Sequence, residues 1–488
     1  MRPTFRILDN SLVNQIIDEA VGVLCSLGIE VHNQEASDLL LSNGLKKSNN
    51  STCLIFKEEH IDQALKSAPS SFKLYDVSGE EATYFNDHNV HFTPGSSALK
   101  YYDAKHKKIR EPITQDYIIY VKIADQLDNF SSQSTAFIPS DVDNRISDIY
   151  RLYLGLLYGS KPVVTGVFKK ESYQVMYDLQ CIIRGTKKEL TKKPMTIFTC
   201  CPTSPLKWGN TSAQNLMDCA RSNVPVELVT MPLAGLLSPV TLTGTLIQHC
   251  AEILSGLVIH QMVNPGAPVL YGSSITIFDM RNETTPMGAI ESMMMACGVN
   301  EIGKKLNLPT QAYISLSDAK HLDAQAGLET AMGATLATLS GINNISGPGM
   351  MEFENCFSTE KLILDNDIAG MCLRLSNGIS PKDDFPSRER FQELRDEGHL
   401  IISDHTRSFL REEHFFPGAL IDRQSHARWE SNGSPQLIET AINEVKKMVN
   451  SYKPSILEED TKQELYNRVA DYAKILGTKL PPSAIPMQ

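Results

Sequence analysis

Pro225–Met231 reads PVELVTM, Thr241–Val263 reads TLTGTLIQHCAEILSGLVIHQMV, and Ala267–Ser273 reads APVLYGS. The two short runs have the length and β-branched content of buried strands. The segment between them repeats Leu242, Leu246, Cys250, Ile253, Leu254 and Val258 at the spacing of one helix face. Strand, helix, parallel strand is the unit of an α/β fold. Working outward, the same alternation recurs at Val90–Pro94, Phe130–Phe137, Pro162–Phe168, Pro194–Cys200, Pro309–Ser315 and Ile342–Gly347, making eight strand runs in all. Five of them carry a proline at or beside the start, where a missing N–H costs least. Eight such units predict a (β/α)8 TIM barrel spanning residues 89–380.

The flanks read differently. Residues 1–88 predict an N-terminal helical cap, with one helix beginning near Asn10–Ser11 and ending near Gly28 and another over Lys57–Ser67. Residues 381–488 predict a C-terminal extension packed on the barrel or on a partner subunit, with helices at Ser387–Glu397 and Ser434–Ser451 around an irregular stretch, His405–Trp429.

Lysine plus arginine number 46 against 57 aspartates and glutamates, a net charge of −11 without a basic block, which argues against nucleic acid as a partner. Met1–Asn10 has no apolar signal core, and no run of about 18 uncharged apolar residues suggests a membrane span. Ten cysteines without CxxC spacing read as reduced thiols of a cytoplasmic protein, and a chain of this kind is expected to form a homo-oligomer.

In a barrel the chemistry sits on the loops that leave the C-terminal ends of the strands. Those loops hold no GxSxG, HExxH, P-loop or intact dinucleotide fingerprint. They hold instead small residues, methionines, aromatics and a few hydrogen-bonding groups, which suits a small polar or cationic substrate beneath a flat apolar partner. Gly95, Gly235, Gly272, Gly347 and Gly349 allow close backbone approach, although turn geometry explains a glycine after a strand equally well. Adjacent Cys200 and Cys201 are either core thiols or two ligands of a zinc ion whose third ligand the spacing does not supply. His249 and Met293–Met295 read as helix packing; His321 lies in a mouth loop.

Several of these stretches are recognisable: Met231–Gly244 (MPLAGLLSPVTLTG), Pro265–Ser273 (PGAPVLYGS), Asp318–Gly327 (DAKHLDAQAG), Phe357–Asp367 (FSTEKLILDND), Ser67–Tyr75 and Gly398–Arg423. With them the chain resembles the trimethylamine methyltransferase family of corrinoid-dependent enzymes over nearly its whole length. The resemblance implies a barrel that moves a methyl group from a methylated amine to the Co(I) of a corrinoid (cobalamin) carried by a cognate corrinoid protein. Because no pyrrolysine is present, it implies the quaternary-amine branch, with substrates such as glycine betaine, proline betaine or carnitine.

The chemistry agrees with that branch. A quaternary ammonium leaves as a neutral tertiary amine, so no general acid is needed, and cobalt supplies the nucleophile. The protein must orient the methyl carbon and hold a desolvated cation, for which aromatic faces and carboxylates are the physical means. Tyr271, Phe278, Phe353 and Phe357 are the candidates for a cation pocket, with Tyr101, Tyr102 and the carboxylate of Glu352. Ser317, Asp318, Lys320, Gln325, Gly347 and Gly349 are the candidates for contact with a substrate carboxylate or the corrin. No metal bound by the chain itself is expected. Two other readings stay open: a zinc-dependent thiol methyltransferase using Cys200 and Cys201, and a betaine-binding protein without catalysis.

Overall fold

The computed structural model describes residues 2–48, 52–454 and 456–481. Every expected run contains a strand, each shorter than its run: β1 His91–Thr93, β2 Gln133–Ser134, β3 Val163–Thr165, β4 Thr196–Cys200, β5 Val226–Thr230, β6 Val269–Ser273, β7 Gln311–Tyr313 and β8 Asn344–Ser346. The largest contraction is at Phe130–Phe137, whose Ser-Ser-Gln-Ser-Thr centre lacks the β-branched content that favours a long strand.

All pairings among these strands are parallel, but they form two sheets rather than one ladder. One sheet runs β6-β5-β4-β3-β2 and the other β7-β8-β1. At one junction the Tyr271 N–H donates to the Pro309 carbonyl at 2.8 Å, and at the other the Ser131 N–H donates to the Phe92 carbonyl at 3.2 Å. The architecture is α/β, and β3 and β5 to β8 are buried throughout, with β4 buried at every residue but Thr199, as expected of parallel strands covered by helices.

One end of the strands is plugged. The hairpin Phe72–Tyr75/Glu81–Phe85 contributes Leu74 and Phe85 to a small core with Val164, Ile197 and Leu270. Its backbone is tied to the chain just ahead of β4 and β3, Tyr75 N–H donating to Pro194 O and Val77 N–H to Ser160 O, both at 2.8 Å. A ligand therefore enters from the other side, at the C-terminal ends of the strands.

The N-terminal region departs from an all-helical cap. Its helices Asn10–Ser26, Gln34–Ser42 and Glu58–Ser67 alternate with strands Ile29–Val31, Lys46–Lys47 and Cys53–Ile55, and Ile29–Val31 pairs in parallel with Lys207–Trp208. Strands of two or three residues are too short to show a period-two pattern. The first helix is capped one residue before the expected position, where the Asp9 carboxylate accepts the Leu12 N–H at 2.8 Å.

Leu242–Val263 is long and apolar enough to cross a bilayer, yet 72% of its most apolar window is buried in the protein, against the helices Asn10–Ser26, Glu58–Ser67 and Asn210–Ser222 among others. At the C-terminus, Leu437–Ser451 packs on Thr359–Ser376 and Thr114–Gln126, and Glu459–Ile475 packs on Ser172–Arg184 and Ser147–Tyr158. The stretch expected to be irregular holds helices Asp404–Glu413 and His426–Ser431. Neither buries a residue.

Candidate functional site

At the open end lies a cavity of about 460 Å³. Ser96 follows β1, Phe168 follows β3, Thr199 and Cys201 come from the end of β4, Tyr313 ends β7, and Arg151 reaches in from the helix Ser147–Tyr158. Gln311 and Tyr313 alternate with Ala312, so both point to the interior. The Tyr313 hydroxyl lies 3.2 Å from Ser96 Oγ. Arg151 is fully buried and its guanidinium sits 4.7 Å from the centre of the Phe168 ring.

Glu227 and Glu354 lie behind two of the lining residues, Cys201 and Tyr313, and Asp318 lies near Glu354. Glu227, the second residue of β5, accepts the Thr199 hydroxyl at 2.7 Å, and burial pushes its carboxyl up to about 7 although the Thr199 hydroxyl and the Asn344 amide pull it back. Glu354 is pushed up to about 8 by burial; Ser274 Oγ lies 3.3 Å from one carboxylate oxygen, and the other is buried with no hydrogen-bond partner among the described residues. Burial, with Glu227 and Glu354 nearby, raises the Tyr313 hydroxyl. Burial and the neighbouring Glu329 lift Asp318 to about 6.

Glu354 is aimed by an unusual backbone. Glu352, Phe353 and Glu354 have φ of 48°, 59° and 65°, three successive non-glycine residues in the left-handed region. Such a run is unfavourable for L-residues and persists where surrounding structure enforces it, commonly at a functional site.

The Glu227 environment has a consequence for stability. Its folded-state value of about 7 exceeds the ordinary 4.5, so its contribution is fully present below pH 4.5 and is lost as pH rises through 7. Glu227→Gln is expected to match the wild type near pH 4.5 and to exceed it by up to about 3 kcal/mol at pH 8. Thermal or denaturant melts at the two pH values check this; equal stability at both would show that Glu227 is not desolvated.

The residues expected from sequence are scattered among four settings. Tyr271 points away from the cavity: it alternates with inward Leu270, is fully buried, and lies 5.5 Å from His249 beneath the helix layer. Tyr101 and Phe357 belong to an aromatic core, Tyr101 at 5.4 Å from Phe137, and Phe357 at 5.4 Å from Phe137 and 5.1 Å from Tyr120. Arg110 already covers the Tyr101 ring at 5.0 Å. Tyr102 packs against His321, its hydroxyl 3.4 Å from Nδ1. Phe353 is capped by Lys320 Nζ at 4.1 Å, Glu352 accepts the Asn355 amide at 3.3 Å, and Phe278 donates its N–H to Ala234 O on the half-buried rim.

The polar candidates form a network of their own. Ser317 Oγ donates to Glu329 at 2.6 Å, Gln325 Nε2 donates to the same carboxylate at 2.9 Å, and the Asp318 N–H donates at 2.8 Å. Lys320 Nζ donates to the Asp318 carbonyl at 2.7 Å. These groups hold the loop after β7 in shape.

Gly347 and Gly349 have φ of 123° and 86°. A Cβ at Gly349 would sit 2.5 Å from the Phe357 ring, and the Gly349 N–H donates at 2.7 Å to Asp365, itself paired with Lys361 at 2.5 Å in the core. Gly349→Ala is therefore expected to cost roughly 2–5 kcal/mol, from left-handed strain plus overpacking. A melt within 1 °C of the wild type would contradict this.

Cys200 and Cys201 diverge. Cys200 Sγ accepts the Asn215 amide at 3.2 Å on the buried outer side, while Cys201 faces the cavity with its thiol pushed far up by burial. Among the described residues no three His, Cys, Asp or Glu side chains are grouped to hold a metal ion.

Sequence reasoning passed over Tyr313, Arg151, Glu227 and Glu354. Two of them leave a visible signal: Glu227 is a charge inside the apolar run PVELVTM, and Arg151 interrupts the apolar helix SDIYRLYLGLLY. A charge where both faces are buried marks an interior polar site.

Parallel strands with ionisable groups gathered at their C-terminal ends define the chain as an α/β protein of enzyme type. The chain belongs to the trimethylamine methyltransferase (MTTB) family, which it matches over residues 1–475. It is 30% identical over 454 residues to the trimethylamine methyltransferase MttB of Methanosarcina thermophila, covering 91% of this chain and 92% of that protein. It is 27% identical over 480 residues to the glycine betaine methyltransferase of Desulfitobacterium hafniense (strain Y51), covering 97% and 98%. Among solved structures, the Methanosarcina barkeri monomethylamine methyltransferase (MtmB) superposes with a TM-score of 0.53 at 10% identity over 98% of this chain and 90% of that one, a likeness of fold.

Proposed function

We propose that this chain moves a methyl group from a quaternary amine of betaine type to the Co(I) corrinoid of a separate corrinoid protein. The observation that carries the reading is the cavity itself, where the Tyr313 face, with Glu227 and the unpartnered Glu354 carboxylate behind it, offers a desolvated seat for a cation. The glycine betaine methyltransferase relative supports the quaternary amine as methyl donor. On this reading the two sheets work as one (β/α)8 barrel, supported by the hydrogen bonds at both junctions. That barrel spans residues 89–380, between the N-terminal region 1–88 and the C-terminal extension 381–488.

The chain's own task is to bind and orient. Tyr313, Glu227 and Glu354 hold the ammonium, burial excludes water, and the amine departs neutral, so none of these groups donates a proton to it. The corrinoid is the acceptor and supplies the nucleophile. Met231, Leu236, Leu237, Val240 and Met280 lie exposed on the loops after β5 and β6, an apolar lip suited to a docking corrinoid protein. Phe385, Phe391, Ile401 and Ile402 are exposed in the C-terminal extension, which favours a homo-oligomer.

Incubating the full chain with Co(I) cobalamin and a panel of quaternary amines, trimethylamine and a methylated thiol tests the reading. Loss of the Co(I) absorption with quaternary amines alone is expected. Loss with trimethylamine or the thiol but no quaternary amine would overturn it, and so would no change with any donor.

A further inference from the structure

Among the described residues Arg151 is the one cation lining this cavity, and no carboxylate hydrogen-bonds to it. Its Nε donates to Ser147 O at 3.2 Å and its Nη1 to Thr135 O at 2.7 Å, two backbone carbonyls that fix the plane of the guanidinium. Among the described residues it forms no ion pair. The nearby Asp148 is engaged elsewhere, one oxygen accepting the Ile149 N–H at 2.8 Å and the other the Phe168 N–H at 2.7 Å.

Burial outweighs the nearby Asp148 charge in its effect on this guanidinium, and the two carbonyls that bond it replace only part of its lost hydration, so the arrangement is costly. The fork edge left open, Nη2 with the remaining Nη1 hydrogen, borders the cavity. That edge matches a carboxylate, which takes two parallel N–H bonds. The Phe168 ring centre lies 4.7 Å from the guanidinium carbon, and Gly166 also lines the cavity.

We infer that Arg151 is the seat of the substrate's carboxylate, so that the cavity binds a zwitterion: the carboxylate on Arg151 and the quaternary ammonium by Tyr313, Glu227 and Glu354. This rests on the proposed function and narrows it. The substrate carries both charges, and a quaternary amine without a carboxylate is a poor ligand because it leaves the buried guanidinium unpaired. Specificity then follows from the unsatisfied group, which penalises the wrong ligand more than the right one is rewarded.

Titration calorimetry of the full chain, without the corrinoid protein, with glycine betaine and with choline as probes tests the inference. The two share a trimethylammonium group and differ in carboxylate against hydroxyl. The wild type is expected to prefer glycine betaine by ~100-fold, and in Arg151→Gln that preference is expected to fall to near unity, with Arg151→Lys between them. Equal affinity for the two probes in the wild type overturns the carboxylate seat while leaving the quaternary-amine function standing. A preference that survives Arg151→Gln does the same. Wild-type protein that binds neither probe overturns both readings. Should the variant fail to fold, the wild-type comparison decides.

Discussion

Glu354→Gln is expected to lower kcat/KM for a quaternary amine by about a hundredfold, the range found when one member of a buried charge pair is removed. The same substitution should abolish the pH dependence between pH 7 and 8, above the range in which Glu227, pushed up to about 7, takes a proton. Burial pushes Glu354 up to about 8, which favours its protonated form at neutral pH, and a permanent cation placed beside it favours the ionised form. Binding below pH 8 must therefore release a proton, and affinity should weaken by as much as tenfold for each unit the pH falls. Calorimetry in buffers of different ionisation enthalpy reads the proton directly. A wild type that releases none, or a variant that keeps the slope, would remove Glu354 from the cation's surroundings.

Tyr313→Leu is expected to cost about 2 kcal/mol, or roughly thirtyfold in kcat/KM, the value of a desolvated cation–π contact. Tyr313→Phe keeps the ring and loses only the hydroxyl that meets Ser96 at 3.2 Å, so it should retain most activity. The discriminating result is the gap between the two variants. If Phe and Leu are equally impaired, the hydroxyl rather than the ring is what matters; if neither is impaired, the cation sits elsewhere in the cavity. Tyr271→Leu, by contrast, empties a position under the helix layer and is a change in core packing.

The strands were legible because residues buried on both faces must be apolar whatever they pack against, and eight such runs alternate with helical periodicity. The site was legible only as a region. The loops after the strands do surround the cavity, yet choosing the aromatics nearest those loops favoured Tyr271 and Phe357, which face the helix layer and an aromatic core. Shifting by one residue along a strand changes the face, and a short run with ragged ends does not say which residue of PVLYGS looks inward. The Asp318–Gln325 loop illustrates a second difficulty. Its polar residues resemble a binding motif, but Glu329, a turn further along the next helix, takes up Ser317, Asp318 and Gln325.

By itself the sequence determined the α/β alternation, the family and the absence of an internal nucleophile motif, all of which depend on local pattern and residue type. The tertiary structure decided which side chains meet. Arg151, Glu227, Tyr313 and Glu354 come from a helix, two strands and a left-handed loop spread over more than two hundred residues. Their joint effect, charges brought together in a largely buried region, exists only when burial and the direction of each strand residue are set together.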